Sequence, residues 1–334
     1  MINWCIIGSG DVVQRLLNKS IEIKNKSKLI TIISKDFKNA KKYAAKFNNV
    51  NALKLSKKNL EIINNNSKIN SIYIATPPSS HFYYINFFCR KKKNIICEKP
   101  LVIKLDEIKK LQKLQKSYRF NLFTCFYRRY LKKFNYIKKI VNSGKLGKIL
   151  FFKTKYLHNE KNHPTANLSK NNDTPWRFKK KISGGGNIAD MGIHIIDMID
   201  YLLGDIREVN AFNSNLMKFY NVEDTSVVNF KLINNILGQG FWNSTSPFKE
   251  DDFKIVGRKG ELSFKMNFYE KDLIKLNLKN KKQIIKEITT KQPYHSDMFD
   301  FIIKKLTRLN RQGKIYFDKT GLKNSEILLK ILNY

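Results

Sequence analysis

Acidic residues are scarce in this sequence: 27 Asp and Glu stand against 64 Lys and Arg, a formal charge of +37 over 334 residues. Arginine is scarce as well, supplying only 10 of those 64 cations, although its planar fork is what phosphate- and base-reading surfaces favour. The excess is not gathered in an arm or tail. Residues 1–124 carry 25 basic against 7 acidic side chains and the remainder 39 against 20. An even spread of Lys with abundant Asn and Ile is what an AT-rich coding sequence produces, so a specific nucleic-acid partner is not expected. The runs Arg90–Lys93 and Lys179–Lys181 are solvated loop or helix ends on this reading. Cysteine is rare: Cys5, Cys89, Cys97 and Cys125, with no C-x-x-C. That argues against a disulfide scaffold or zinc ribbon and for reduced, buried thiols in a cytoplasmic protein without a metal. No apolar run approaches the ~20 residues of a membrane span, and the first residues, Met1 to Gly8, lack a basic leader, so neither membrane nor secretory signal is expected.

What is present suits a folded chain of about two domains. Apolar residues make up 42%, including 23 Phe. Up to residue 124, short apolar runs alternate with helical patterns, which is how a doubly wound parallel sheet reads. Strands are expected at Asn3–Ile7, Lys28–Ser34, Ile69–Ala75, Asn94–Cys97 and Asn121–Phe126, and helices at Asp11–Lys24, Lys38–Phe47, His81–Lys92 and Leu105–Tyr118. Over 125–334 the texture changes. A helix at Leu131–Ser143 precedes alternating segments such as Lys148–Leu157, Glu208–Leu216, Thr225–Ile233, Gly240–Asn243, Glu261–Phe268 and Leu273–Leu278. Strands without intervening helices imply an antiparallel or mixed sheet with one open face. A helix over Gly186–Leu203 interrupts them, and helices at Ser296–Leu309 and Lys319–Leu332 close the chain. Asn64–Asn66 and His158–Asp173 are expected to be loops, and His163 with His158 mimics metal-ligand spacing only in a polar loop.

Four motifs carry candidate chemistry. Gly8-Ser9-Gly10, followed by Asp11 and Val12, lies between a strand and a helix, where glycine lets the backbone approach a pyrophosphate. The same pair would also serve an ordinary tight turn, and Val13 occupies the usual third small position. At the end of the second strand Ser34, Lys35 and Lys38 offer a hydroxyl and two cations that suit a ribose 2′-phosphate, while Asp36 keeps the unphosphorylated cofactor open. Thr76-Pro77-Pro78 with His81 follows an apolar strand at the sheet edge where such folds bind ligands. Glu98-Lys99-Pro100 follows another, with a lysine able to stabilise an alkoxide. Finally, in Gly184-Gly185-Gly186 through Asp197, a regular helix puts Asp190, His194 and Asp197 on one face. A polar stripe on a buried helix needs partners, and histidine suits general acid–base work. A hydrogen-bonded core histidine is the alternative.

In this order and spacing these motifs resemble the Gfo/Idh/MocA family, most specifically in Cys97-Glu98-Lys99-Pro100-Leu101 and Gly184–Asp197. Arg128-Arg129, Gly144–Gly147, Trp176-Arg177 and Gly257–Gly260 fit too. The resemblance implies an α/β protein with an N-terminal nicotinamide-binding Rossmann domain, 1–124, and a C-terminal α+β substrate and oligomerisation domain, 125–334, on a large, mostly antiparallel sheet. It further implies a homo-oligomer, dimer or tetramer, acting on a sugar, cyclitol or related polyol with NADP, slightly favoured, or NAD. Lys99, Asp190 and His194 match the family's catalytic residues. Gly8, Ser9, Gly10, Asp11, Val12, Ser34, Lys35, Lys38, Thr76, Pro77, His81, Glu98 and Lys99 are the candidate cofactor contacts, and Lys99, Arg128, Trp176, Arg177, Asp190 and His194 the candidate substrate contacts. A redox-neutral lyase or epimerase, or a non-catalytic cofactor-binding sensor or repressor, stays open beside the dehydrogenase.

Overall fold

The computed structural model describes residues 1–16, 21, 26–159, 174–267, 271–290 and 293–333. The chain divides into two compact units, Met1–Tyr127 with Gln292–Lys323, and Arg128–Lys291 with Asn324–Tyr334.

The first unit holds β1 (Ile2–Ile7), α1 (Asp11–Leu16), β2 (Ser27–Ser34), α2 (Phe37–Ala44), β3 (Asn51–Lys54), α3 (Lys57–Asn65), β4 (Ser71–Ile74), α4 (His81–Cys89), β5 (Asn94–Cys97), α5 (Leu105–Tyr118) and β6 (Leu122–Thr124). Its six strands lie in the order β3-β2-β1-β4-β5-β6, and every pair is parallel. Strands covered on both faces read as unbroken apolar runs, and β4 and β5 are buried along their whole length. The expected parallel sheet is therefore there, with two additions. Residues 51–65 supply β3 and α3, whose short polar sequence hid them. Asn64 and Asn65, expected in a loop, form the last turn of α3, which Ser56 starts by accepting the Asn59 N–H at 3.1 Å. The helix after β1 is described only to Leu16.

The C-terminal stretch 292–323 also belongs to this unit rather than with the second sheet. Phe299, on α9 (Ser296–Gln312), packs edge-on against Trp4 and Tyr73 with ring centres 5.8 and 5.5 Å away. Beyond α9 the chain runs beside β6. Leu122 N–H donates to Tyr316 O, and Asp318 takes the Thr124 N–H at 2.9 Å. Amphipathic α9 covers the sheet because its apolar stripe has nowhere else to be buried.

The second unit opens with α6 (Lys132–Asn142) and β7 (Ile149–Asn159), then α7 (Lys180–Ser183), a π turn at Ile188–Gly192 and α8 (Ile193–Leu203). Seven strands follow: β8 (Ile206–Ser214), β9 (Thr225–Leu232), β10 (Leu237–Asn243), β11 (Thr245–Gly257), β12 (Gly260–Phe264), β13 (Asp272–Leu278) and β14 (Ile284–Ile288). The sheet order is β14-β13-β12-β11-β7-β10-β9-β8; only β7 and β10 pair in parallel. Alternate residues are buried, as in β9, where Ser226, Val228, Phe230 and Leu232 point inward. Phe152, Phe230, Phe253, Phe264 and Trp242 join there in one aromatic layer. The expected loop 158–173 begins within β7, and its residues 160–173, His163 included, lie outside the described residues. The last helix, α10 (Lys319–Ile331), starts in the first unit and ends in the second.

Candidate active site

The nucleotide side is built at the carboxyl ends of the parallel strands. Gly8 ends β1 with φ +109°, and a Cβ there would lie 2.5 Å from the Ala75 carbonyl oxygen. Only glycine fits so close to the neighbouring strand's exit. A Cβ on Gly10 would meet nothing within 4 Å, so the loop is open at its tip. The Ser9 hydroxyl donates to the Ser34 hydroxyl at 2.8 Å, tying this loop to the end of β2. Both serines are buried, whereas Lys35, Asp36 and Lys38 are exposed. Asp36 is the N-cap of α2: one carboxylate oxygen accepts the Asn39 N–H at 2.9 Å and the other the Asn39 side-chain amide at 2.8 Å.

His81 is placed differently from its expected role. It is wholly buried, with Nδ1 2.8 Å from the Pro100 carbonyl and Nε2 2.8 Å from that of Thr76. Burial holds its pKa below the usual histidine value, and a neutral ring donates to one carbonyl at a time. It braces the Thr76-Pro77 loop against the Lys99-Pro100 loop. Glu98 is similar in kind. Its carboxylate accepts the Tyr73 hydroxyl at 2.5 Å, and burial raises its pKa. Lys99, joined to Pro100 by a cis peptide bond, is half-buried at the edge of β5.

The helical side starts at the triple glycine. Gly184 adopts φ +87° and closes α7. Gly186 donates its N–H to the Glu223 carboxylate at 2.7 Å. The following π turn makes the bonding wider than in an α-helix, and a Cβ on Gly192 would sit 2.6 Å from Ile188 Cγ1. This turn breaks the expected single face. His194 and Asp197, on α8, are buried at 4% and 1% exposure, while Asp190 is half-exposed within the π turn. Asp197 is held by Arg129 at 2.7 Å and by Asn324 at 2.9 Å; Arg129 also reaches Asp200 at 2.7 Å. Asp190 instead meets Arg177, with Nε 3.7 Å from Oδ2, and the Arg177 guanidinium lies 4.5 Å from the centre of the Trp176 ring. Trp176, Arg177 and Asp190 therefore come together, and Asp197 does not join them.

Arg128, a candidate substrate contact, is 2% exposed, donates to the Met266 carbonyl and reaches Asn267 Oδ1 at 3.4 Å. Beside it, fully buried Lys133 pairs with Asp272 at 2.9 Å. Motif reading also missed Glu223, Tyr73 and Tyr156. The Tyr156 hydroxyl accepts from Asn267 at 3.1 Å, and burial raises its pKa. No periodic pattern could mark these residues, because their partners are remote in sequence. Among the described residues no group of three or more His, Cys, Asp or Glu is arranged to hold a metal.

A six-stranded parallel sheet with a glycine cradle, joined to a large mixed sheet carrying the triple-glycine helix, can be compared with known proteins. Residues 2–124 match the oxidoreductase family with the NAD-binding Rossmann fold, and residues 134–263 match the GFO/IDH/MocA C-terminal domain. The chain belongs to the Gfo/Idh/MocA oxidoreductase family. It is 28% identical over 268 residues to oxidoreductase P35 of Formosa agariphila, covering 80% of each chain. It is 34% identical over 143 residues to levoglucosan dehydrogenase of Pseudarthrobacter phenanthrenivorans, covering 43% of this chain and 35% of that one. A solved levoglucosan dehydrogenase in complex with NADH and levoglucosan superposes with TM-score 0.78 at 21% identity, over 99% of this chain and 96% of that one. KijD10, a 3-ketoreductase of Actinomadura kijaniata solved with NADP, gives 0.80 at 16% identity, over 99% and 97%.

The cradle fits the family's nicotinamide dinucleotide. Gly8 removes the side chain that would strike Ala75, Gly10 leaves the loop tip open, and Ser9 fixes the loop to β2. Gly8–Val12, Ser34 and the Thr76-Pro77 loop are the segments that would hold it.

Proposed function

We propose that this family member is an NAD(P)-dependent oxidoreductase acting on the C–OH or C=O of a sugar, cyclitol or related polyol. The observation that carries the reading is the backbone cradle at Gly8, in a sheet whose order turns outward at β1 and β4, the place where such sheets bind dinucleotides. The substrate class is supported by relatives named for levoglucosan, myo-inositol and glucose 6-phosphate. The bound cofactor would supply hydride acceptance or donation. In the oxidative direction His194 takes the hydroxyl proton, Lys99 stabilises the developing alkoxide, and Asp190, steadied by Arg177, orients the substrate. A screen of sugars and polyols that follows NADPH and NADH absorbance tests the class; no turnover with any of them overturns it. His194→Asn is expected to lower kcat roughly 10²- to 10⁴-fold with cofactor affinity unchanged. If turnover stays within a few-fold while the melting temperature drops, His194 is a core histidine only.

NADP is the favoured cofactor. Asp36, the acid able to pair with ribose hydroxyls, spends both oxygens on Asn39, whereas Lys35 and Lys38 are exposed at the same strand end. Fluorescence titration should give tighter NADPH than NADH; equal or tighter NADH binding refutes the preference. A relative named 2,7-anhydro-N-acetylneuraminate hydratase, 23% identical over 271 residues, keeps a redox-neutral reading in view. In that case isotopic label would be retained in the product without net cofactor turnover. We read the open face of the second sheet, which exposes Phe151, Phe212 and Leu237, as the interface of a homo-oligomer in the cytoplasm.

A further inference from the structure

Glu223 lies just before β9, far in sequence from the triple glycine, yet its carboxylate is the acceptor on which that turn closes. Gly186 donates to Oε1 at 2.7 Å. That N–H lies just before the π turn, at the end where helical backbone has no partner of its own. Glu223 is itself held firmly. Its neighbour Asp224 accepts the Met217 N–H at 2.8 Å and the Thr225 hydroxyl at 2.9 Å, closing the loop that carries both acids. That loop is stacked on the segment before the triple glycine, where Phe178 and Tyr220 lie face to face with centres 4.2 Å apart. Gly186 carries no side chain because one would run into the Glu223 backbone. One carboxylate therefore joins the loop before β9 to the turn that presents Asp190 and leads into His194.

We propose that Glu223 is a positioning residue for the reaction: it sets the start of the π turn and so the placement of Asp190 and His194. The proposal rests on the dehydrogenase reading for its kinetic consequence, but its structural part does not. Glu223→Ala removes the acceptor; Glu223→Gln keeps one oxygen for Gly186.

Amide hydrogen exchange on the full chain reads the anchor without any substrate. In Glu223→Ala, protection should fall at residues 186–193 and hold in the parallel sheet, while Glu223→Gln should recover most of it. On the polyol identified by the absorbance screen, Glu223→Ala should lose kcat by as much as about 100-fold, the cost of misplacing a reacting group by an ångström. KM for the dinucleotide should stay at the parent value, and Glu223→Gln should return kcat to within a few-fold. Exchange that is unchanged in Glu223→Ala overturns the anchor. If Glu223→Ala unfolds altogether while Glu223→Gln exchanges like the parent throughout 186–193, the residue is merely structural and the proposal fails. Loss of local protection with kcat unchanged also overturns it. A chain that turns over no polyol but shows the local exchange defect refutes the dehydrogenase reading and leaves the anchor standing.

Discussion

Gly8 shows how much one residue decides. Its positive φ disfavours any side chain, and the backbone oxygen of Ala75, 2.5 Å from a built Cβ, cannot step aside as a flexible side chain would. Gly8→Ala should therefore cost on the order of 1–3 kcal/mol by urea unfolding and weaken dinucleotide binding at least tenfold by fluorescence titration; a variant that binds and folds like the parent would make the cradle dispensable. This residue was legible because a glycine pair between a strand and a helix has few structural uses. His81 and Arg128 were legible as chemistry but not as placement. A histidine after a proline pair looks the same whether it faces a ligand or two carbonyls, and the arginine pair does not say which member turns inward. In the structure Arg129 meets Asp197 and Asp200, while Arg128 meets Met266 and Asn267. Glu223 was not legible at all, since its hydrogen bond to Gly186 spans 37 residues.

Among the elements, those with long apolar runs could be read directly, including β1, β2, β4, β5 and α8. Short ones could not: β3 and α3 have too few apolar residues to set a period, and β14, with three isoleucines in five residues, is too short and does not alternate. The π turn defeated the helical face argument because a 3.6-residue period holds only while the bonding is regular, and one wide turn rotates everything before it. The anchor of that turn also titrates. Burial pushes the Glu223 carboxyl from 4.5 up to about 7, with Lys180 the opposing charge. Between those values the folded chain holds a proton that the unfolded chain has released, so stability should fall as pH rises through that window and level off above it. Glu223→Gln does not titrate. Its melting temperature relative to the parent should rise from pH 5 to pH 7 and then stay constant; a gap that does not change with pH would mean that the carboxyl remains charged throughout.

Over the whole molecule the +37 charge is spread evenly along the chain, which makes it a solvent property rather than a binding device. Binding to duplex DNA should be weak, blind to sequence and abolished by moderate salt; a sequence-selective complex surviving roughly 200 mM salt, read by gel shift, would contradict this. Both fold classes were legible at this scale, because alternation with helices and strand-after-strand texture are global patterns. The membership of the last helices was not, since amphipathic α9 would suit either sheet until Phe299 is seen against Trp4 and Tyr73. That membership has a consequence for biosynthesis. Chains emerge from the ribosome from their first residue onward, and domains ordinarily close as they emerge. Here the nucleotide domain cannot: α9 and the strip at Tyr316–Asp318 that pairs with β6 are translated only after the entire second sheet. The nascent sheet must wait with its Trp4 and Tyr73 flank uncovered. Both units therefore close late: residues 292–323 complete the domain encoded first and residues 324–334 the other, so neither can finish folding until the last helices have emerged.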